Sequence, residues 1–293
     1  MSAHRHFICP GASRSGTTTL YHALKTHPDI YLTDKKELRF FFDEEKYAQG
    51  FDTYLENFRQ AGSDQICGDI SPPYFHKGLT LNEGAHRWAP DDDCALRIHR
   101  HFGDDVKILI TLRNPVERLY SQVMKNIVQG REDYKALSTI VREELDRKRP
   151  PKDTALCWLY NNCYSIHLSN WMDFFDKAAI KVIIFDEWTK NPAGTVNEIE
   201  RFLNVAPRRT LRDEDIQPRN AGRSPVNKLA GYVMKPLGKL SLFRQNTKRH
   251  FSKAGYEPLD HENRVWLHDI LKQDIQEVEK LLGREIPAWH LNE

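Results

Sequence analysis
The sequence has no apolar run approaching the ~20 residues that span a bilayer, and Met1 to His6 lacks the apolar core of a secretory leader. The expectation is a cytoplasmic protein with no transmembrane segment, unless the chain is a piece of an anchored parent. Cysteine is scarce. The five residues Cys9, Cys67, Cys94, Cys157 and Cys163 are odd in number and no two have zinc-ligand spacing. That argues against a disulfide framework or structural zinc and for a reducing compartment. His99 and His101 have nothing nearby to complete a ligand set and read as a helix surface; Asp91 to Asp93 read as a solvated loop or helix cap. There is no internal repeat and no low-complexity tract.

Net charge is also nearly missing, at +2 over 293 residues. Its distribution is uneven. Residues 207–253 hold twelve Lys or Arg against Asp213, Glu214 and Asp215, a local +9 that leaves −7 on the rest. Such a segment either meets an anionic ligand or is a solvated excursion. No recognised nucleic-acid motif accompanies it, so no nucleic-acid partner is expected. The whole chain is 40% hydrophobic, enough for a chain of this size to bury a core without staples. A single domain over 1–293 is expected, with 207–255 as a basic, irregular, lid-like segment within it.

Short apolar runs alternate with helical periodicity. Phe7 to Cys9, Gln65 to Ile70, Val106 to Leu112 and Ile180 to Phe185 read as strands. Helices are expected after Gly16, after Asn114-Pro115, over Leu156 to Phe175, over Thr195 to Leu203 and over His261 to Leu282. In the last of these, Val265, Ile270, Leu271, Val278 and Leu281 should be buried. Trp158, Trp171 and Trp266 fall within helices and read as core. The alternation predicts an α/β, P-loop-like, three-layer fold, a central parallel sheet with helices on both faces.

The stretch between the first strand and helix reads Gly11-Ala-Ser-Arg-Ser-Gly-Thr-Thr18. Its spacing is that of a phosphate-binding P-loop, but Thr17 stands where the lysine belongs. Backbone amides and a helix N-terminus can still cradle a phosphate. Without the lysine that reaches the β- and γ-phosphates, the loop should grip one phosphate group rather than a metal-bound triphosphate. Ser13, Ser15, Thr17 and Thr18 offer hydroxyls and Arg14 a positive charge. A second candidate follows the strand 106–112. Arg113 sits at its C-terminal end, where open parallel sheets bind ligands, and Ser121 lies two helical turns on. A guanidinium and a hydroxyl suit a second phosphate, although an ion pair at the helix start would also account for Arg113. Glu117 and Arg118 read as ordinary surface or packing residues. Two phosphate sites on one sheet edge suggest a nucleotide phosphorylated at two positions.

These motifs resemble those of sulfotransferases that use 3′-phosphoadenosine 5′-phosphosulfate (PAPS), in the carbohydrate, heparan sulfate-type and bacterial branch. Gly11-x-x-Arg14-Ser-Gly-Thr-Thr is similar to the family's 5′-phosphosulfate loop, and Arg113-Asn-Pro-x-x-Arg-x-Tyr-Ser121 to its 3′-phosphate motif. Lys36-Glu37-Leu-Arg-Phe-Phe resembles the segment holding the glutamate of the carbohydrate branch, and Asp69-Ile-Ser-Pro-Pro-Tyr74 its Glu-Lys-Thr-Pro-x-Tyr segment. The later scaffold fits as well: Tyr164-x3-Leu-x2-Trp171, then Asn191-Pro192 and Phe202-Leu203. Asn220-Ala-Gly222-Arg223 is similar to the late loop that closes over the nucleotide.

The resemblance implies PAPS as donor, PAP as product and no metal. It places Ser13, Arg14, Ser15, Gly16, Thr17 and Thr18 on the 5′-phosphate, Arg113 and Ser121 on the 3′-phosphate, and Asn220, Gly222 and Arg223 over the nucleotide. Glu37 would be the base that takes the acceptor's proton, its pKa raised by Phe40, Phe41 and Phe42; Arg14 would offset charge on the leaving phosphate. Ile70 departs from the pattern, standing where glycan-modifying relatives often carry a lysine. The acceptor would be a hydroxyl of a glycan, lipid or small molecule. Rival readings are a P-loop kinase using ATP, against which Thr17 argues, and a non-catalytic PAP-binding module, against which Glu37 argues. Oligomeric state is not encoded legibly.

Overall fold
The computed structural model describes residues 4–83, 85–146, 157–208, 210–217, 223–225, 252–255 and 257–291. Its strands are β1 (His6–Gly11), β2 (Ile30–Leu32), β3 (Ile66–Ile70), β4 (Leu79–Asn82), β5 (Ala85–Trp88), β6 (Val106–Leu112), β7 (Ile180–Ile184), β8 (Arg223–Pro225) and β9 (Ser252–Ala254). Five form the central sheet in the order β2-β3-β1-β6-β7, every pair parallel. β4–β5 and β8–β9 are small antiparallel pairs. The four strands expected from apolar runs are all in the sheet. β2 was not legible, because Ile30-Tyr31-Leu32 is too short to show a period; its place comes from pairing Ile30 with Ile66.

The helices are α1 (Thr17–Lys25), α2 (Glu44–Tyr47), α3 (Phe51–Leu55), α4 (Cys94–Phe102), α5 (Pro115–Val128), α6 (Leu137–Asp146), α7 (Trp158–Asn162), α8 (Tyr164–Phe174), α9 (Phe185–Trp188), α10 (Pro192–Phe202), α11 (Asp213–Ile216) and α12 (His261–Leu282). Side chains of β1 alternate between two cores. Phe7 and Cys9 join Leu20 and Leu24 of α1 and Ile199 of α10. Ile8 joins Ile98 of α4, Leu119 of α5, Trp171 of α8 and Leu271 of α12. Helices therefore cover both faces of the sheet, and the strands, buried on both sides, need their continuous apolar runs.

Helix starts follow their caps. Asn114 Oδ1 accepts from Val116 N and Glu117 N, with Pro115 in the first turn. Asp93 caps α4 as read from the sequence. α10 begins at Pro192 rather than Thr195, because Asn191 caps it through Gly194 N. α12 has the expected bounds, but Leu267 and Ile275 are buried with Leu271 and Val278, while Val265, Ile270 and Leu281 are only partly covered. Trp158 and Trp171 are core; Trp266 is half-buried under Arg142.

The expected long helix over Leu156 to Phe175 is two helices broken at Cys163, whose φ −78° and ψ 83° are not helical; residues up to 156 lie outside those described. The break has a tertiary cause. The Asp274 carboxylate of α12 accepts from Tyr164 N at 2.8 Å and Ser165 N at 3.0 Å, capping a new helix. Most of the basic segment also lies outside the described residues. Where described, it is not wholly irregular: it holds α11 and the β8–β9 pair, and β8 packs beside α5.

Candidate active site
The Gly-rich turn joins β1 to α1 at the C-terminal edge of the sheet. It is pinned to β6, with Ala12 N donating to Thr111 O at 2.6 Å and Thr111 Oγ1 to Gly11 O at 3.1 Å. Gly16 opens α1 with φ +85°, and a Cβ there would stand 2.7 Å from Phe185 and 2.9 Å from Trp188 of α9. Position 16 thus requires glycine on conformation and on space. Gly16→Ala should reduce PAP affinity at least tenfold, measured by calorimetry, and lower the melting temperature. A variant binding PAP as tightly as wild type would show that the turn does not hold the nucleotide.

Arg118 braces the turn from beneath. Its side chain is 0% exposed. Nε donates to Ser13 O at 2.7 Å and Nη1 to Asn161 O and Asn162 Oδ1. The sequence reading as a surface or packing residue missed this, because nothing local distinguishes a guanidinium that enters the core from one that leaves it.

The two anion motifs meet. Arg14 Nε donates to Ser121 Oγ at 2.8 Å across 107 residues of chain. Behind them, Tyr164 Oη donates to Arg113 O at 2.9 Å, with the Ser15 hydroxyl beside it. Ser15 Oγ is fully buried and lacks a hydrogen bond of good geometry among the described residues. A buried hydroxyl in such a turn, with the Tyr164 oxygen beside it, fits an anion that would receive its proton. Thr17 is also buried, so its hydroxyl does not replace a lysine that reaches outward. Arg113 does two things. Its Nη2 lies 3.8 Å from Glu117, the ion pair anticipated at the helix start, and its guanidinium stands 5.5 Å from the Phe185 ring centroid. Glu117 is shared with Arg264 of α12.

Glu37 lies on the loop before α2, in a left-handed conformation with φ +65°; Arg39 follows with φ +59°. Its carboxylate pairs with Arg39 at 2.8 Å and Lys36 at 3.3 Å. The expected upward pKa shift is corrected. Burial does push the carboxyl up and is the largest single influence, but hydrogen bonding from Arg39 and the charges of Lys36 and Arg39 together outweigh it, leaving it below the ordinary glutamate value. Phe40, Phe41 and Phe42 sit in the core and contribute only the burial.

One residue electrostatically coupled to these groups had no place in the sequence reading. Lys125 is one helical turn after Ser121 on α5, hence on the same face. It retains exposed surface yet has its pKa pulled down to about 8, by surrounding protein first and then by Arg14, with Arg131 and Arg39 adding and Glu37 opposing. The spacing from Ser121 was the signal available in the sequence. Ile70 is buried on the α1 face and offers no cation. Asn220 and Gly222 lie outside the described residues; Arg223 is in β8, and only its backbone is described. Among the described residues no His, Cys, Asp and Glu cluster could hold a metal, and no helix is long and apolar enough to cross a membrane.

Sheet order and strand-end turn define a P-loop-like α/β protein with its cations gathered at the C-terminal edge of the sheet. The sulfotransferase domain family model matches residues 4–220, and the chain belongs to that family. It is 25% identical over 303 residues to human bifunctional heparan sulfate N-deacetylase/N-sulfotransferase 2, covering 97% of this chain and 30% of that protein. Mouse heparan sulfate glucosamine 3-O-sulfotransferase 5 is 24% identical over 204 residues, covering 69% of this chain and 54% of that one. The chain thus spans 30% of the first of these relatives and about half of the second. A sulfotransferase from Alicyclobacillus acidocaldarius shares the fold, with a TM-score of 0.66, 23% identity and 98% coverage of each chain.

Proposed function
We propose that this sulfotransferase-family chain moves a sulfuryl group from PAPS to a sugar hydroxyl, with Glu37 accepting the proton. The observation that carries the reading is the 2.8 Å contact of Arg14 with Ser121, which brings the two anion motifs to one point. PAPS, when bound, supplies a sulfuryl group on a phosphate leaving group. Ser13 to Thr18 would hold the 5′-phosphate and Arg113 with Ser121 the 3′-phosphate; Arg223, on the strand beside α5, would cover the nucleotide. The acceptor oxygen forms a bond to sulfur, the sulfur–phosphate oxygen bond breaks and PAP leaves. Glu37, ionised throughout the neutral range because of Arg39 and Lys36, is always in the form that can receive the acceptor's proton. Positioning and charge neutralisation account for such in-line transfer, as in phosphoryl transfer.

The names of the relatives support a sugar acceptor, and those that include N-sulfotransferases favour an amino-sugar nitrogen as the second reading. Sulfur-labelled PAPS incubated with unsulfated, N-acetylated and N-deacetylated heparan-type chains tests both. Label in the polysaccharide supports the proposal, and the chain type that takes it separates oxygen from nitrogen. Tight PAP binding with label in no acceptor would favour the non-catalytic module. Magnesium-dependent ATP turnover would favour the kinase.

A further inference from the structure
We infer that Asp69 is a positioning residue that clamps the Glu37–Arg39 bend against the end of β3. The inference rests on the reading of Glu37 as the proton acceptor.

Asp69 is 2% exposed, at the C-terminal end of β3, paired in register with Ile8 of the strand that leads into the phosphate turn. Two hydroxyls donate to its carboxylate, Ser71 Oγ to Oδ1 at 2.6 Å and Tyr74 Oη to Oδ2 at 2.9 Å, and the Leu38 backbone N–H and the Tyr54 hydroxyl lie beside it. Ser71 Oγ in turn accepts from Arg39 N at 3.2 Å. The Arg39 amide is therefore tied to the buried acid through one hydroxyl, and the Leu38 amide lies against the same carboxylate. Glu37 and Arg39 both have positive φ without being glycine. A non-glycine residue held there persists only when its surroundings over-determine it. Phe40, Phe41 and Phe42 anchor the bend on one side, in the core; the Asp69 cluster anchors it at the bend itself.

The charged and titratable groups around Asp69 are Glu37, Tyr54 of α3, Tyr74, Lys46 of α2 and Cys9 of β1. Burial pushes the Asp69 carboxyl up to about 6; Ser71, Tyr74 and Leu38 pull it back, and the charge of Glu37 adds to the rise. A protonated carboxyl exchanges an acceptor site and its charge for an O–H donor, so its hold on the surrounding donors weakens and the clamp loosens as pH falls through about 6. Stability moves the other way. The native state binds the extra proton between the ordinary aspartate value and about 6, so the penalty of burying the ionised form is present above that window and fades as pH falls through it.

Amide hydrogen exchange of Leu38 and Arg39, followed in the ligand-free protein, tests the clamp without an acceptor. Asp69→Ala should lose about 100-fold protection at these two amides at neutral pH while amides of β6 and α12 keep theirs. Asp69→Asn mimics the protonated acid, so its protection should match that of wild type below pH 6, lie between wild type and Asp69→Ala at neutral pH, and lose the dependence on pH near 6. It should also melt higher than wild type at pH 7.5 and converge with it near pH 4. Label transfer from PAPS to heparan-type chains should follow the protection, falling in Asp69→Ala at unchanged PAP affinity and recovering in part in Asp69→Asn. Unchanged protection in Asp69→Ala, or wild-type pH dependence in Asp69→Asn, overturns the clamp. Undiminished transfer in Glu37→Gln overturns the reading of Glu37 and leaves the exchange result to stand or fall by itself.

Discussion
Glu37→Gln should lower sulfuryl transfer by about 10²–10⁴-fold, the usual effect of removing a positioned general base, and leave PAP binding no weaker. The amide is nearly isosteric and its one oxygen can still accept from Arg39, while the contact with Lys36 on the other oxygen is lost; the backbone bend keeps its tie through Ser71. What disappears is the ability to hold the acceptor's proton. The affinity expectation follows from charge. Glu37 opposes Arg14, Arg39 and Arg131 in its influence on Lys125, so neutralising it makes the site more positive and more receptive to a polyanion. Wild-type transfer would remove Glu37 from the chemistry. Lost transfer together with lost PAP binding would show a site that had collapsed, not one missing its base. The pH profile adds a second measurement. Because Arg39 and Lys36 hold Glu37 below the usual glutamate value, its own protonation should limit the rate only below that value. A limb near 6 would belong to Asp69, whose carboxyl lies there.

Arg118→Leu should have the largest effect on stability. The substitution leaves Ser13 O, Asn161 O and Asn162 Oδ1 without the donor they share, at about 1–3 kcal/mol for each buried group left unpaired. Relief of a buried charge offsets part of this, since burial already lowers the Arg118 pKa. A net loss of about 3 kcal/mol is the expected outcome, a large share of the about 5–15 kcal/mol typical of folded proteins. The urea midpoint should fall by about 1–2 M at ordinary denaturant slopes, and PAP affinity should fall with it, because Ser13 belongs to the phosphate turn. Arg118→Lys should not rescue it: an ammonium on a flexible stem cannot reproduce a planar fork directed at separate acceptors. An unchanged midpoint in Arg118→Leu would show that the turn is held by its own backbone contacts to β6.

How much could be read beforehand depends on whether the cause was local. The four longer strands were legible because a strand buried on both faces must be apolar throughout. The start of α5 was legible because Asn114 and Pro115 are its cap and first turn. The glycine turn and the Arg113 motif were picked out by spacing, and the structure brings them together through Arg14 and Ser121. β2 was not, being a strand through its neighbour rather than its composition. The break at Cys163 was not, since the acid that caps α8 lies about 110 residues away, in α12. Asp69 was noted only as part of a motif, and Lys125 not at all; both acquire their surroundings from other segments.

Local chemistry along the chain was sufficient to establish an alternating α/β fold, a glycine turn without the P-loop lysine, and a second cationic strand end. Folding decided the rest: that Arg14 would lie on Ser121, that Arg118 would point inward, and that Glu37 would be held by cations instead of being isolated among phenylalanines. The reason is physical. Periodicity, caps and turn geometry act over a few residues and are written in order along the chain. Charge coupling and burial act through space, between groups that the order of residues does not bring together.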